Sequence, residues 1–295
     1  MTREPAVERR HAGAAKFSRR RFLGLGALAF SGAATLAVVD ARWFELHWLE
    51  VVRRLMPIPG LPGALKGRTL AHLSDLHIGP MVDDGYLMRT FARTRAEQPD
   101  FVVYTGDFIT NSSGTFEKLE RLGELAPLGR LGTFAVLGNH DYGRRWSHRE
   151  IADRVAARLR GRGIEVLRND VREVAGLQFA GFDDLWARAF DERPVLAKLD
   201  RARPHLTLSH NPDCADLPGL ANLRGWILSG HTHGGQVRIP PFPPPILPVA
   251  NRRYAAGAVD LGAGRHLYVS RGVGHLTPIR FGVRPEITLF TMVPA

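Results

Sequence analysis

Five short polar segments interrupt the chain between residues 74 and 235, and each follows directly after an apolar run. They share Asp, Asn or His side chains, usually beside glycine. The segments are Ser74-Asp75-Leu76-His77, Gly106-Asp107, Gly138-Asn139-His140-Asp141, Ser209-His210-Asn211-Pro212 and Ser229-Gly230-His231-Thr232-His233-Gly234-Gly235. Carboxylate, carboxamide and imidazole groups bind metal ions or transfer protons, so the pattern predicts one of these chemistries.

Seven of these side chains are candidate metal ligands. The segments hold three carboxylates (Asp75, Asp107 and Asp141), five histidines (His77, His140, His210, His231 and His233) and Asn139. Carboxylates packed beside histidines require a cation, because buried charges in proteins are paired or coordinate metals. Their mixed donor types favour Zn, Mn, Fe or Co over Ca or Mg. Seven ligands are too many for one ion, so the set predicts two divalent ions that share a carboxylate, with Mn, Zn and Fe as the leading candidates.

The apolar runs before these segments are predicted strands: Leu70–Leu73, Phe101–Thr105, Thr133–Leu137, His205–Leu208 and Trp226–Leu228. Helical patterns alternate with them at 84–97, 115–126, 147–160 and 190–200. This alternation predicts an α/β fold built from βαβ units, whose parallel strands would bring all five segments to one rim. Residues two apart on a strand project to the same side, which would pair Asp75 with His77 and His231 with His233.

Further strands are predicted beyond these units. Residues 164–182 favour two or three strands around an Asn169-Asp170 turn, and His266–Ser270 and Glu286–Met292 favour two more. So many strands predict two packed sheets. The proline-rich segment Pro240–Pro248 is expected to be extended, because proline suits neither a helix nor a sheet ladder.

The N-terminus has the features of a targeting segment. Ser18-Arg19-Arg20-Arg21-Phe22-Leu23 precedes an uncharged stretch that ends at Val39, a pattern that resembles the twin-arginine export signal S-R-R-x-F-L at every position. We therefore expect export by the twin-arginine machinery to the periplasm or cell envelope, with residues 1–40 as a cleaved signal or an inner-membrane anchor. Residues 41–67 would form a linker or edge strand, since 41–58 fit a helical stripe or a strand, and 68–295 the main domain.

Charge and cysteine content narrow the class of protein. The net charge is +11, and residues 1–39 hold seven Lys or Arg against Glu4 and Glu8, so much of it belongs to the leader. The dispersed remainder favours anionic partners such as phosphates, lipid headgroups or wall polymers, and no specific nucleic acid. The single cysteine, Cys214, excludes an intramolecular disulfide and a cysteine-based metal site.

The order D-x-H, G-D, G-N-H-D, H, G-H-x-H resembles that of the calcineurin-like metallophosphoesterase family. Three later segments are similar to its bacterial YaeI/YkuE-like branch: Tyr268-Val269-Ser270-Arg271-Gly272-Val273-Gly274, Pro278-Ile279-Arg280-Phe281 and Pro285-Glu286-Ile287. The resemblance covers residues 68–292. It implies a four-layer α/β/β/α sandwich, the metallo-dependent phosphatase fold, and membership of a branch that carries a twin-arginine leader or a membrane anchor.

The resemblance also implies roles for individual residues. Asp75, His77 and His233 would hold the first metal ion, Asn139, His210 and His231 the second, and Asp107 would bridge both. His140 would face the substrate phosphate as the catalytic acid. Thr110 stands where the phosphatase branch often has an aspartate that orients this histidine, so Asp141 or a backbone carbonyl would orient His140 instead. Arg271 and Arg280 are expected substrate contacts, because guanidinium groups suit phosphate.

These roles imply a binuclear phosphodiesterase or phosphatase at the cell envelope, acting on a phosphate ester such as a lipid or a cell-wall polymer. One alternative is a UDP-2,3-diacylglucosamine-type pyrophosphate hydrolase of lipid A synthesis, which requires the domain to stay inside the cell. A second alternative is an envelope nuclease, favoured only by the net charge. A non-catalytic metal-binding protein is the third, although intact Asp107, Asn139 and His140 argue against it.

Overall fold

The computed structural model describes residues 19–110 and 115–295. The chain divides between Val39 and Asp40 into two compact units, and the described part of the first unit is one helix, α1 (Arg19–Val39). The helical stretch Leu23–His47 is long and apolar enough to cross a membrane, by length and composition. Ser18 and the rest of the predicted leader before it lie outside the described residues.

The described residues of the second unit form twelve strands and four further α-helices. The strands are β1 (Glu50–Ile58), β2 (Thr69–Leu73), β3 (Phe101–Thr105), β4 (Gly132–Val136), β5 (Glu165–Val166), β6 (Asp170–Val174), β7 (Leu177–Gly181), β8 (His205–Leu208), β9 (Gly225–Ser229), β10 (Gly257–Gly262), β11 (Arg265–Val269) and β12 (Glu286–Pro294). The helices are α2 (Asp84–Ala96), α3 (Thr115–Gly123), α4 (Arg149–Arg160) and α5 (Glu192–Lys198).

The strands form two six-stranded sheets. The first has the order β1-β12-β2-β3-β4-β5 and the second β10-β11-β9-β8-β7-β6. Strands β2 to β5 are parallel in the first sheet, and β7, β8, β9 and β11 are parallel in the second. Three of the polar segments therefore follow strands of the first sheet and two follow strands of the second, so the rim belongs to both sheets.

Three apolar clusters separate four layers. The first lies between the first sheet and α2, α3 and α4; the second lies between the two sheets; the third covers the outer face of the second sheet beneath α5. Alternate residues of one strand serve different clusters: Val102 and Tyr104 of β3 face the helices, whereas Phe101 and Val103 face the other sheet. The predicted α/β/β/α sandwich is confirmed.

Most predicted elements are present within one to four residues of their expected ends. Residues 164–182 form three strands, with a bend at Asn169 (φ 54°) between β5 and β6 and a hairpin turn at Ala175-Gly176 between β6 and β7. Asp170 begins β6, so the Asn-Asp pair marks the passage from the first sheet to the second. Strand β10 was not predicted, because its glycine-bounded, partly exposed sequence lacks an apolar run.

The region before β2 contains both of the structures that its sequence fits. Asp40–Phe44 forms a short helical turn, and Glu50–Ile58 forms β1, which pairs with β12 at the edge of the first sheet. β1 brings Glu50 beside the C-terminal strand, so this segment is part of the sheet and not a free linker.

Candidate metal centre

The ligand-bearing segments are loops after β2, β3, β4, β8 and β9. Five of the candidate ligands have left-handed backbone conformations, with φ of 55° at Asp75, 47° at His77, 53° at Asp107, 72° at His231 and 50° at His233. Neither Asp75 and His77 nor His231 and His233 lie on a strand, so the prediction that strand geometry pairs them was wrong. Such φ values cost energy in residues other than glycine and persist where surrounding contacts over-determine them.

Glycines let these loops approach one another. A Cβ atom at Gly138 would overlap Asp107 Oδ1, and one at Gly230 would overlap Ser74 Oγ and Asp75 Oδ2. No larger residue fits at either position without displacing a candidate ligand, which is the role expected of the flanking glycines.

The first group of candidate ligands consists of Asp75, His77 and His233, whose potential ligand atoms all lie within 4.8 Å of one another. Nε2 of His233 is 3.3 Å from Oδ1 of Asp75 and 3.1 Å from Nε2 of His77. All three residues are buried. Because imidazole nitrogens repel each other through their lone pairs, two of them this close to a carboxylate fit a shared cation.

The second group consists of Asp107, His210 and His231, which are likewise buried and within 4.8 Å of one another. Nε2 of His210 is 3.2 Å from Oδ2 of Asp107 and 3.1 Å from Nδ1 of His231. Nδ1 of His210 donates to the carbonyl of Thr105 at 2.7 Å. That bond fixes the ring and leaves Nε2 facing the group, an arrangement typical of metal-binding histidines.

Asp107 connects the two groups. Its Oδ2 atom is 3.6 Å from Nε2 of His77 in the first group and 3.2 Å from Nε2 of His210 in the second. Its other oxygen, Oδ1, accepts the backbone N–H of His140 at 2.8 Å. One carboxylate therefore faces both groups while a main-chain bond fixes its orientation, as a bridging ligand requires.

One buried acceptor tests whether the centre fits metal ions. Oδ1 of Asn139 has no hydrogen-bond partner within residues 19–110 and 115–295. A buried polar atom left unpaired costs about 1–3 kcal/mol, so such an atom usually marks a missing partner. Asn139 belongs to the predicted ligand set for the second ion, and a divalent cation accepts oxygen donors of this type. The residues present therefore fit a pair of cations.

Comparison with known proteins agrees with this geometry. The family described as calcineurin-like phosphoesterase matches residues 68–235. The chain belongs to the calcineurin-like phosphoesterase family. It is 33% identical over 292 residues to a protein of Escherichia coli K12 named phosphodiesterase YaeI, covering 94% of this chain and 99% of that protein.

Two further relatives span most of this calcineurin-like phosphoesterase. An uncharacterized metallophosphoesterase of Bacillus subtilis, YkuE, is 31% identical over 293 residues, covering 94% of this chain and 98% of the relative. The UDP-2,3-diacylglucosamine pyrophosphatase LpxG of Chlamydia trachomatis is 28% identical over 317 residues, covering 87% and 93%. The predicted family and its YaeI/YkuE-like branch are confirmed. The chain is a hydrolase of phosphoester bonds from a family that depends on a binuclear metal centre.

Burial and neighbouring charges set the protonation of the phosphoesterase centre. Burial lowers the pKa of His77 and of His231 to about 3, so both imidazoles are neutral and able to bind a metal ion at neutral pH. Burial alone would raise the pKa of Asp107, but His210 and His140 hold it well below its ordinary value. Burial likewise opposes protonation of His210, yet Asp107 raises its pKa to about 10. The Asp107 carboxylate is therefore ionised, and its negative charge can bind a cation.

Asp141 or a backbone carbonyl was expected to orient the ring of His140, but among the described residues neither hydrogen-bonds to its ring nitrogens. The Asp141 carboxylate accepts the backbone N–H groups of Gly138 at 2.9 Å and Ile109 at 3.1 Å, so it braces the loop. Thr110 Oγ1 lies 3.1 Å from Nδ1 of His77, which places this unusual threonine beside a candidate ligand. The ring of His140 packs 5.1 Å from that of His77.

The two arginines predicted to contact substrate have other partners in the structure. Arg280 is fully buried, and its Nη2 donates to the carbonyls of Arg271 at 2.8 Å and Gly274 at 2.7 Å. Arg271 pairs with Glu50 at 3.0 Å and with Glu286. Both arginines therefore hold together the loops behind His233, and their contact with substrate stays a prediction.

Other buried residues lie beside the centre. Asp183 and Asp184 follow β7, another parallel strand, and Asp183 accepts from Tyr142 at 2.6 Å. The Trp186 ring lies 4.3 Å from that of His231 and 4.8 Å from that of Trp146. The apolar run before Asp183 was the signal that this strand also ends at the rim.

We expect Asp107→Asn to bind fewer than one metal ion per chain where the unaltered protein binds two, because the amide removes the charge that both groups share. Asp100→Asn is the matched control, since Asp100 is buried at the opposite end of β3 and pairs with Arg68 and Arg130. Elemental analysis after dialysis measures the metal content. Two ions retained by Asp107→Asn would contradict the bridging role.

Proposed function

We propose that this calcineurin-like phosphoesterase hydrolyses phosphodiesters at the cell envelope. The observation that carries the proposal is the position of Asp107 Oδ2 between His77 and His210, which sets two metal-binding groups on either side of one carboxylate. The similarity to phosphodiesterase YaeI over nearly the whole of both chains supports a diester substrate.

Each candidate ligand is assigned to one of two metal ions or to both. Asp75, His77 and His233 would hold one ion, Asn139, His210 and His231 the other, and Asp107 both. When bound, such a pair of ions supplies Lewis acidity that activates water and neutralises charge on the phosphoryl oxygens. The mixed nitrogen and oxygen donors favour Mn, Zn or Fe. The His140 N–H bond to Asp107 keeps the shared carboxylate oriented toward both groups.

His140 is assigned the role of general acid. It is half-buried, and its ring lies between those of His77 at 5.1 Å and Trp146 at 6.3 Å. Among the described residues, none hydrogen-bonds to the nitrogens of this ring, so the ring is available to substrate. An imidazolium at this position would donate a proton to the departing alkoxide oxygen of the ester.

A second candidate function is hydrolysis of a diphosphate in a UDP-2,3-diacylglucosamine-type lipid. The similarity to LpxG, which extends over 87% of this chain and 93% of the relative, favours it. The same two ligand groups would serve a diphosphate, because the bond broken is again between phosphorus and oxygen.

We also propose that residues 1–40 direct this domain to the cell envelope by the twin-arginine route and that 68–295 form the phosphoesterase domain. Arg19 and Arg20 occupy the paired positions of the motif, and Leu23–His47 has the length and apolar composition of a signal or an inner-membrane anchor. Export of a folded protein suits an enzyme that acquires its metal ions in the cytoplasm.

We expect His140→Ala to retain both metal ions but to hydrolyse diesters with alkyl leaving groups about 10²–10⁴-fold more slowly, because the alkoxide then leaves without a proton. Diesters of p-nitrophenol should lose much less, since p-nitrophenolate needs no acid. The control is His148→Ala, which alters an exposed histidine paired with Glu150. Loss of metal from His140→Ala would instead make His140 a ligand, and equal losses on both esters would remove the acid role.

Replacing Arg19 and Arg20 together by lysine should keep the phosphoesterase in the cytoplasm, because the positive charge remains but the guanidinium groups are lost. Arg21→Lys, at the variable position of the motif, is the control and should be exported normally. Protease treatment of intact spheroplasts distinguishes exposed from protected protein. Normal export of the double-lysine variant would exclude the twin-arginine route.

A further inference from the structure

An apolar groove opens beside the metal centre. It has a volume of about 340 Å³, and its lining includes His231 and His233, one candidate ligand from each metal group. Val237, Ile246 and Ile279 also line it. A phosphate held at the centre would therefore have one of its ester substituents directed along this groove.

Two of the polar side chains that line the groove are already engaged with the main chain, namely Gln236 and Thr232, whose Oγ1 donates to the carbonyl of Ala255 at 2.7 Å. Gln236 Nε2 donates to the carbonyls of Thr277 and Ile279, each at 3.0 Å, and its Oε1 accepts from the N–H of Leu276 at 3.3 Å. The amide therefore closes one wall and offers little to a polar ligand. Because the remaining walls are mostly aliphatic, the groove fits a hydrocarbon chain better than a sugar or a nucleobase.

The outer rim of the groove exposes large apolar side chains. Ile246, which is 76% exposed, and Leu276, which is also exposed, line the groove, while the exposed Ile239 and the 68% exposed Phe242 lie a few residues before Ile246 in the chain. Soluble proteins rarely leave such a cluster in water unless it contacts a membrane or another molecule.

A neighbouring segment extends this apolar rim. The Ala41 carbonyl accepts from the N–H of Arg280, and Arg42 donates to the carbonyl of Pro278 at 3.2 Å, so Asp40–Phe44 lies against the wall of the groove. Trp43 and Phe44 of this segment are exposed. The same residues belong to the stretch Leu23–His47, which is long and apolar enough to cross a membrane by length and composition.

The charges around the rim match anionic lipid headgroups. Arg238 is exposed directly before Ile239, and its side chain has no hydrogen-bond or ion-pair partner in the part of the chain that the structure describes. Arg42 is exposed beside Trp43. Guanidinium groups next to aromatic and aliphatic side chains are typical of surfaces that rest on phospholipid.

We propose that the groove holds a hydrocarbon chain of a membrane-lipid phosphodiester, with the apolar rim resting on the bilayer that supplies it. The inference rests on the proposed function, since it places the scissile phosphate at the metal centre. It adds a substrate class: an alkyl or acyl phosphodiester drawn from a membrane, with the hydrocarbon held between the proline-rich segment and residues 276–279.

The test is a series of p-nitrophenyl alkyl phosphates, from methyl to octyl, hydrolysed by the full chain at one fixed concentration of non-ionic detergent. Each buried methylene group raises kcat/KM by up to about fourfold, so we expect the octyl ester to exceed the methyl ester by more than about tenfold. Ile246→Ser should reduce that ratio by at least about threefold. Leu128→Ser changes an exposed leucine before β4, at the opposite end of the first sheet, and should keep the unaltered ratio.

The possible outcomes distinguish a failure of the proposed function from a failure of the groove inference. If no ester of the series is hydrolysed by the metal-loaded protein, the proposed function fails. If the methyl ester is hydrolysed but kcat/KM does not change with chain length, the function stands and the groove inference is overturned. A third outcome is that kcat/KM does not change with chain length and that the protein is a dimer, which Ile246→Ser dissociates. This outcome would assign the groove to a second copy of the chain and would also overturn the groove inference.

Discussion

The structure depends on one buried carboxylate that two groups of ligands share. Asp107 is almost inaccessible to water, and its pKa is held well below its ordinary value, so its negative charge requires compensation inside the protein. Burying an unpaired charge is costly. Asp107 raises the pKa of His210 to about 10, so either a proton on His210 or a cation in its place balances the carboxylate. The two-sheet fold meets this requirement, because it brings loops from both sheets together at the end of β3, where Asp107 lies.

Much of this arrangement follows from the sequence because strands leave a strong signal. Each apolar run that is buried on both faces predicted a parallel strand, and Asp75, Asp107, Asn139, His210 and His231 all follow such runs at the edge where parallel strands end. The layer order and the two metal-binding groups therefore needed only the alternation of strands and helices, together with the resemblance in motif order.

The details that the sequence missed arise from tertiary contacts. Left-handed φ values at the ligands depend on contacts between loops of different sheets, and no local pattern encodes them. Arg280 was expected at the substrate but is surrounded by backbone carbonyls, which only the folded loop brings together. Trp186 and the residues that line the apolar groove are far from His231 in the sequence or lie in loops, so only the folded chain shows that they are beside it.

The most direct test of the shared carboxylate is anomalous X-ray diffraction from crystals of the manganese-loaded protein, recorded on both sides of the metal absorption edge. The account predicts two anomalous peaks, one surrounded by Asp75, His77 and His233, the other by Asn139, His210 and His231, with Asp107 within bonding distance of both. A single peak, or a pair of which only one touches Asp107, would contradict it.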